Sequence, residues 1–384
     1  MKKKNFIVLY CEDWHTPLKT SKHHFLERLA KNGHKILYVE MPINPISYIL
    51  KPYQYLNKNN LNIFNGLREE KKNIWLLKFF ILFPYHPFLR FVFDNYFINF
   101  LNQKFAKFFL KFYLKKLKFF EVEAIIYFPM IYPIIKDLNF KKIHFHIVDE
   151  WQGFSGIPKS MNYLTQNLVK VADTTVVSSK KLFLKYKNYS KNIHLLFHGT
   201  DHDLFKPISF QIKRKKNKVN VGYYGSLDKI DFKLVECISV LLPNWQFYFV
   251  GPATKNIKKL KIFNIKNIKF LGSLDRNKLP NFLNKIDVFW MPFLKNTLTQ
   301  AMSPIKIYEV LGTGLPIVSV DLEGCKDINN KLILYGNNIN EIKNQLIFAF
   351  ENDNQDVRNL RINFVKSFSW DNRFKSFKRK INLI

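Results

Sequence analysis

The chain has 384 residues, and at about 100–200 residues per domain that length suggests two domains. Hydrophobic residues make up 47% and charged residues 23%, which excludes a disordered chain; 61 basic against 29 acidic residues, a net charge of +32, point to anionic partners such as nucleic acid, phosphorylated ligands or an anionic membrane surface. Three distant cysteines, Cys11, Cys237 and Cys325, exclude a disulfide framework and a Cys-x-x-Cys zinc site, and suit a reducing cytosol.

The basic start MKKKNFIVLYCEDW carries an apolar run of about six residues before Glu12 and Asp13. A signal peptide needs an apolar core of about 7–15 residues and a small-residue cleavage site, so Phe6–Cys11 is expected as a first buried strand. Ser21–Asn32 has Phe25, Leu26, Leu29 and Ala30 at helical spacing, with Gly33 as the stop. Strands are expected at Lys35–Glu40, Ala124–Phe128 and Ile143–Val148. Met161, Leu164, Leu168 and Val171 share a helical face, followed by strands Thr174–Ser178 and Ile193–Phe197. This alternation predicts a parallel sheet with helices on both faces.

The hydrophilic stretch Pro207–Lys218, with QIKRKKNK, reads as a linker. The alternation then restarts with strand Val219–Gly225, helix Phe232–Leu242, strands Gln246–Gly251 and Ile268–Gly272, and helix Arg276–Ile286. Strand Val288–Phe293, helix Pro304–Leu311, strand Pro316–Asp321 and helix Asn340–Glu351 complete it. The expected division is a first domain over 1–206, the linker, a second domain over 219–365, and a C-terminal helix over 366–384 that can pack back on the first. In doubly wound sheets ligands bind beyond the strands' C-terminal ends, so the cleft between the domains is the expected site.

Ile46–Phe120 does not fit the alternation. Its longest charge-free apolar run, Phe79–Leu89, is interrupted by two prolines and a histidine, whereas a spanning helix needs about 20 apolar residues. No transmembrane segment is expected. In KFAKFFLKFYLKKLKFF, Phe105, Phe108, Phe109, Phe112 and Phe119 fall near one helical face. Lys104, Lys107, Lys111, Lys115 and Lys118 fall on another, and Lys116 interrupts the first. Such a helix can lie in an anionic membrane interface; the plainer alternative is a core helix with a solvated basic face.

The segment Ser303-Pro304-Ile305-Lys306-Ile307-Tyr308-Glu309 is expected to open a helix with Ser303 as N-cap and Pro304 at the first helical position. Lys306 then falls in the first turn, where the helix dipole disfavours a cation. The placement makes sense where Lys306, the Ser303 hydroxyl and free backbone N–H groups share an anion. Glu309, one turn on, can accept hydrogen bonds from a ribose. The alternative is an ordinary capped helix with an exposed Lys/Glu pair.

The run SPIKIYEVLGTGLPIVSVD, preceded by DVFWMPF, resembles the donor-site segment of group 1 glycosyltransferases with the two-domain GT-B fold. FHGTDHDLFKP resembles their inter-domain signature, and VGYYGSLDKIDFKLVE the strand–glycine–helix opening of their second domain. FYFVGPA and IKFLGSLDRNKLPNFLNKIDVFWMPF resemble the next two units in order. VDEWQGFSG and SKHHFLERLAKNGHKILYVE resemble bacterial polysaccharide-assembly members, such as those for teichuronic acid and xanthan-type polymers. The resemblance covers most of the chain except Pro45–Phe120.

It implies an α/β fold of two tandem Rossmann-like doubly wound domains. Glu309 would hold the nucleotide ribose, and Ser303 and Lys306 would stand near the donor diphosphate. Gly225 and Ser226 match the loop where backbone approaches the phosphates, and Gly272–Leu274 the loop framing the base. Ala301 departs from the family, many of whose members carry a second glutamate there. An Arg and a Lys–Gly pair are also missing after Gly225, leaving Lys229 as the candidate.

The transferred sugar passes through an oxocarbenium-like state, and an inverting enzyme also needs a base for the acceptor hydroxyl. Asp149 and Glu150, ending a strand at the edge of the first domain, are the catalytic candidates, with Asp149 first. Their alternative role is to cap the next helix. Trp14, His23, His24 and His198 are candidates for the acceptor or the cleft. His144 and His146 alternate in a strand without a metal-ligand spacing, so no metal or other cofactor is expected beside the nucleotide-sugar co-substrate.

The expectation is therefore a cytoplasmic enzyme at the inner membrane face, moving a sugar from a nucleotide sugar, UDP favoured, to a lipid-linked or glycan acceptor. Its partners would be that donor, that acceptor and an anionic membrane surface. An epimerase on the same fold and an inactive membrane-associated scaffold are the alternatives. Nucleic-acid binding lacks any helix–turn–helix, RRM or zinc-finger pattern and is set aside.

Overall fold

The computed structural model describes residues 3–16, 19–42, 66–79, 82, 95–154, 157, 160–209, 218–253, 261–329 and 331–383. Most of the aromatic run from Trp75 to Phe93 and most of the expected linker lie outside the described residues. The chain forms two compact units. The first comprises Met1–Ser178, Leu182–Leu196 and Ser376–Ile384; the second comprises Ser179–Lys181 and Phe197–Lys375.

The first unit holds strands β1 (Asn5–Cys11), β2 (Lys35–Glu40), β3 (Leu67–Lys71), β4 (Ile74–Leu77), β5 (Glu123–Ile126), β6 (Lys142–Ile147), β7 (Thr174–Val177) and β8 (Ile193–Leu195). They form one sheet in the order β3-β4-β2-β1-β5-β6-β7-β8. All neighbours are parallel except the antiparallel edge pair β3–β4. In β1, Phe6, Ile7, Val8 and Leu9 are all buried, because helices cover both faces of such a sheet and leave no polar side. Helix α1 (Ser21–Lys31) packs Phe25, Leu26, Leu29 and Ala30 inward. It starts with a capping box: the Thr20 side chain takes the backbone N–H of His23, while the Thr20 N–H donates to His23 Nδ1.

The hairpin β3–β4 lies in the stretch that the alternation left unexplained. So does helix α2 (Tyr96–Lys116), whose N-cap Asn95 accepts from the backbone N–H groups of Phe97 and Ile98. The structure divides α2 differently from the expected Phe and Lys faces. The row Ala106, Leu110 and Leu114 is buried, with Asn102 and Gln103 beside it, and Gln103 accepts a 2.7 Å hydrogen bond from the Tyr10 hydroxyl. Phe108 and Phe112 are exposed, next to Lys104, Lys111 and Lys115. Residues spaced by four form one ridge along a helix, and the core takes the ridge of small and branched side chains. The apolar circumference of α2 is wider than the stripe this core covers. Helix α3 (Met161–Val171) buries Met161, Leu164 and Leu168 as its periodicity predicts.

The second unit holds β9 (Asn220–Tyr224), β10 (Gln246–Val250), β11 (Ile268–Gly272), β12 (Val288–Met291), β13 (Ile317–Val320) and β14 (Ile333–Gly336). They form an all-parallel sheet in the order β11-β10-β9-β12-β13-β14. Its core centres on Trp290, Phe247, Phe249 and Tyr223. Helix α4 (Phe232–Leu241) is capped by Asp231, whose carboxylate accepts from the backbone N–H groups of Lys233 and Leu234. Helix α5 (Ile305–Thr313) ends on Gly314, whose φ of 87° supplies the left-handed stop. The expected helix Arg276–Ile286 is shorter, a 3₁₀ turn Arg276–Lys278 followed by a helical turn Leu279–Leu283. The last helix, α6 (Trp370–Lys380), runs to the segment Ser376–Ile384 that clusters with the first unit, where Phe377 stacks on Phe25 with centroids 4.6 Å apart.

The buried row of α2 gives a direct prediction. Leu110→Ala should destabilise the first unit by about 2–5 kcal/mol, and Phe108→Ala by less than about 0.5 kcal/mol, measured by urea unfolding. Equal losses would place Phe108, too, in the core.

Candidate functional site

The polar side chains of the second unit gather beyond the C-terminal ends of its strands. Tyr223 and Tyr224 close β9, and Gly225 follows with φ 135°. A Cβ on Gly225 would stand 2.6 Å from Lys306 Nζ and 2.9 Å from Tyr223 Oη. One on Gly251, after β10, would stand 1.8 Å from the Gly225 carbonyl oxygen. Only glycines let these two strand ends and the lysine come together.

Helix α5 brings Lys306 and Glu309 to this place. Its N-cap is Pro304, not Ser303, so the helix starts one residue later than expected. The reason is that Pro304 adopts an extended backbone with ψ 120°. Ser303 is buried just before the helix, with its hydroxyl turned to that of Tyr308. The Lys306 ammonium donates to Tyr223 Oη at 3.2 Å and lies over the rings of Tyr223 and Phe293, at 4.8 and 5.2 Å from their centroids. Burial of that end, with the nearby Lys229 ammonium, pushes the Lys306 pKa down to about 7. Lys229 Nζ stands 3.2 Å from Met302 Sδ.

Glu309 is 2% exposed. Its Oε2 accepts a 2.6 Å hydrogen bond from the Tyr224 hydroxyl, and its Oε1 stands 2.7 Å from Arg276 Nη2. The Arg276 guanidinium lies 5.2 Å over the Phe205 ring. Burial and then the Glu309 charge hold the Tyr224 hydroxyl protonated far above the usual range. Neither Tyr224 nor Arg276 was singled out from the sequence. A signal existed for the arginine: it is one of nine, among 52 lysines, and a planar, weakly hydrated guanidinium suits a buried pair better than an ammonium.

Gly225, Ser226, Lys229, Lys306 and Glu309 thus share one edge. Ser226 turns its hydroxyl to Asp228, 3.2 Å away. Gly272 ends β11 with φ 69°, and its carbonyl accepts from the Gly251 N–H at 2.7 Å. Leu274 follows, packed partly buried against the core. His198 is buried at the start of this unit, and burial pushes its pKa down to about 4.

In the first unit, Glu150 is buried and its carboxylate accepts from Lys185 Nζ at 2.8 Å. Asp149 is half-buried, two residues beyond β6. On the same edge of the sheet, beyond β1 and β2, Trp14 packs against Tyr38 and His23, each centroid pair 5.0 Å apart. Since Thr20 uses His23 Nδ1, the imidazole is a neutral Nε2–H donor, and burial first of all lowers its pKa to about 4. Glu12 and Lys22 form a close ion pair beside it. Burial, the largest single influence, raises the Glu12 carboxyl, but the Lys22 charge together with hydrogen bonds from Lys22 and the backbone lowers it on balance. The sequence reading did not single out this pair. His24 is buried in the same turn. The β5 strand separates the Trp14 group from Asp149.

His144 contacts Glu123 at 3.2 Å, and Lys4 pairs with the same carboxylate at 2.7 Å. His146 instead packs beside the stacked rings of Phe25 and Phe377, each centroid 6.0 Å away. The two histidines therefore do not converge. No group of three metal-ligating side chains occurs among the described residues.

Lys306 makes stability depend on pH. An unfolded lysine stays protonated to about pH 10, whereas Lys306 loses its proton near pH 7. The unfolded chain binds more protons in that window, so stability from this residue rises with pH between the two values. Lys306→Met should stabilise the second unit most at pH 6, with the gain shrinking by pH 9. Thermal unfolding at the two pH values measures it.

Residues 218–352 match the family model for group 1 glycosyl transferases. TuaH of Bacillus subtilis, assigned as a teichuronic acid biosynthesis glycosyltransferase, is 25% identical over 166 residues, 40% of this chain and 42% of TuaH. The sulfoquinovosyl transferase SQD2 of Arabidopsis thaliana is 25% identical over 189 residues, 46% of this chain and 36% of SQD2. The matches thus span less than half the length of these relatives. Among solved structures, sucrose-phosphate synthase from Thermosynechococcus elongatus aligns over 100% of this chain and 99% of its own, with TM-score 0.74 and 13% identity. HepE of Anabaena, in complex with UDP and glucose, aligns over 100% of both chains with TM-score 0.65 and 12% identity. At those identities the likeness is one of fold.

Proposed function

We propose that this chain, whose residues 218–352 form a group 1 glycosyltransferase domain, transfers a sugar from a nucleotide sugar to a lipid-linked or polysaccharide acceptor in cell-surface glycan assembly. A UDP-sugar is the favoured donor. The observation that carries this is the pairing at one strand-end edge of a buried, oriented carboxylate, Glu309, with the enclosed ammonium of Lys306. Glu309 takes the ribose hydroxyls. Lys306, Lys229 and the backbone at Gly225 and Ser226 take the diphosphate. Ser303 adds its buried hydroxyl. Gly272 and Leu274 frame the base.

In the transfer, the acceptor oxygen bonds to the anomeric carbon as the bond from that carbon to the diphosphate oxygen breaks. The nucleoside diphosphate leaves with the bonding pair. In an inverting transfer the acceptor proton passes to a base, and Asp149 takes that role. Glu150, already held by Lys185, fixes the loop that carries Asp149. The two lysines meet the charge growing on the leaving diphosphate. Trp14, His23, His24 and His198 contribute to the acceptor and cleft surfaces. Ala301 offers the donor sugar no carboxylate.

The likeness to a protein assigned to teichuronic acid synthesis and to one solved with UDP and glucose supports the substrate class. UDP binding should raise the pKa of Lys306 by placing an anion beside it. At pH 8, binding should therefore take up close to one proton, read by calorimetry in buffers of different ionisation enthalpy. Glu309→Ala should weaken UDP binding, and Lys306→Gln should abolish the proton uptake. No response of the native protein to UDP or other nucleotides would favour the inactive-scaffold alternative, and sugar isomerisation without transfer would favour the epimerase.

The enzyme works at the inner face of the membrane in this proposal. On α2, Phe97, Phe108 and Phe112 stand exposed, with Phe120 just beyond the helix; Lys104, Lys111, Lys115 and Lys116 share the exposed surface. Aromatic side chains can enter the interface while each lysine near anionic lipid contributes about 1 kcal/mol. No helix among the described residues is long and apolar enough to cross a membrane. Charge reversal at Lys111, Lys115 and Lys116 should release the protein from anionic vesicles in a sedimentation assay; unchanged binding would remove α2 as the docking surface.

A further inference from the structure

A second concavity lies in the first unit, at the opposite edge of its sheet from Trp14 and Asp149. Its volume is about 580 Å³, within the range of small-ligand sites. It is lined by Lys3, Lys31, Lys35, Lys71, Lys72 and Glu27, among others. Lys35 is the first residue of β2, and the lining residues next to β4 are at its start. The concavity therefore sits at the N-terminal strand ends, the length of a strand away from the C-terminal ends.

The charges in it do not balance. Glu27 is engaged by Lys71 at 2.8 Å and by Lys19 at 3.2 Å. Lys3, Lys31, Lys35 and Lys72 have no ion pair among the described residues. The end of α1 does not absorb them either. Its last carbonyls are taken by backbone and amide donors: Ala30 O accepts from the Gly33 N–H at 2.9 Å and from Asn73 Nδ2 at 3.2 Å, and Leu29 O accepts from the His34 N–H at 3.2 Å. These lysines are exposed around one concavity, and like charges that line one concavity repel, so a bound anion is the direct relief.

The walls are also fixed in place. Asn73 adopts φ 70° in the β3–β4 turn; it ties that turn to α1 by its side chain and to β2 through the Ile36 N–H, 2.9 Å from its carbonyl oxygen. The Lys71–Glu27 pair joins β3 to α1. Lys3 crosses Gly33, where an added Cβ would stand 3.3 Å from its Cε. Holding the ammonium groups on elements tied to one another reduces the ordering that binding would otherwise need.

We propose that this concavity binds a small phosphate-bearing anion with at least two negative charges, at a site separate from the donor site. The anion is either free in solution or the headgroup of a lipid. Inorganic pyrophosphate is the probe, titrated calorimetrically into the full chain carrying Lys229→Gln and Lys306→Gln, so that the donor edge does not contribute. One saturable site is expected. Adding Lys31→Gln, Lys35→Gln and Lys72→Gln should weaken it at least tenfold. A control with the same charge change at Lys266, Lys269 and Lys285, exposed in the second unit, should leave it within about twofold. Circular dichroism and thermal unfolding confirm that each variant is folded.

Phosphatidic acid vesicles, whose phosphomonoester headgroup can carry two charges, separate the two sources once Lys111→Glu, Lys115→Glu and Lys116→Glu are added to every variant so that α2 does not contribute. Loss of vesicle binding along with pyrophosphate binding identifies a headgroup, and retained vesicle binding identifies a free anion. Absence of pyrophosphate binding, equal loss in the control, or undiminished binding in the Lys31/Lys35/Lys72 variant would overturn the proposal.

Discussion

A carboxylate taken out of water must be paired, because an isolated buried charge costs several kcal/mol. Much of the second unit's C-terminal edge answers that demand. Glu309 comes from α5, the tyrosine that donates to it ends β9, and the arginine that neutralises it follows β11. One carboxylate thus ties together three elements that are far apart in the chain. The alternative, an exposed Glu/Lys pair on a solvated helix, would be worth less than about 1 kcal/mol. The buried arrangement instead presents Glu309 in a single orientation.

The lysines on the same edge follow the opposite logic. Lys306 stands in the first turn of a helix, against the dipole, near a second ammonium and enclosed by two aromatic rings. The dipole, the second ammonium and the burial that lowers its pKa are unfavourable to a charged lysine in the unliganded protein, and the two ring contacts offset them only in part. Gly225 and Gly251 make room for it at further conformational cost. Local rules are broken together in this way at sites built for something absent from the free chain, and an anion resolves all of these conflicts at once. The first unit shows a related imbalance at its N-terminal strand ends, where fixed walls hold lysines without enough carboxylates.

The polar residues of the first sheet separate by edge. Trp14, His23, Glu12 and Asp149 lie beyond strand C-termini, while Glu123, His144 and Lys4 form a buried network near the N-terminal ends. That network satisfies its own charges and needs no ligand. His144 and His146, two residues apart on one strand, therefore have unlike partners, a carboxylate in one case and two phenyl rings in the other. Spacing on a strand puts side chains on one face, but what they meet depends on the neighbouring strand and helix.

The chain by itself determined the parallel α/β character of both units and most of their strands. Continuous apolar runs such as Phe6–Cys11 can be satisfied only inside a sheet covered on both faces. It also marked Lys306, with Glu309 one turn on, because a cation in a helix's first turn conflicts with local electrostatics wherever the chain folds, and Gly225 through the resemblance to the donor loop of group 1 glycosyltransferases. Only the tertiary structure decided which face of α2 is buried, since more apolar residues surround that helix than its core stripe can take. Tertiary packing likewise assigned Arg276 and Tyr224 to Glu309, moved the cap of α5 to Pro304, and closed a basic concavity around residues 3–74. Each of these rests on contacts between residues distant in sequence, and periodicity along the chain carries no record of which distant partner a side chain will meet.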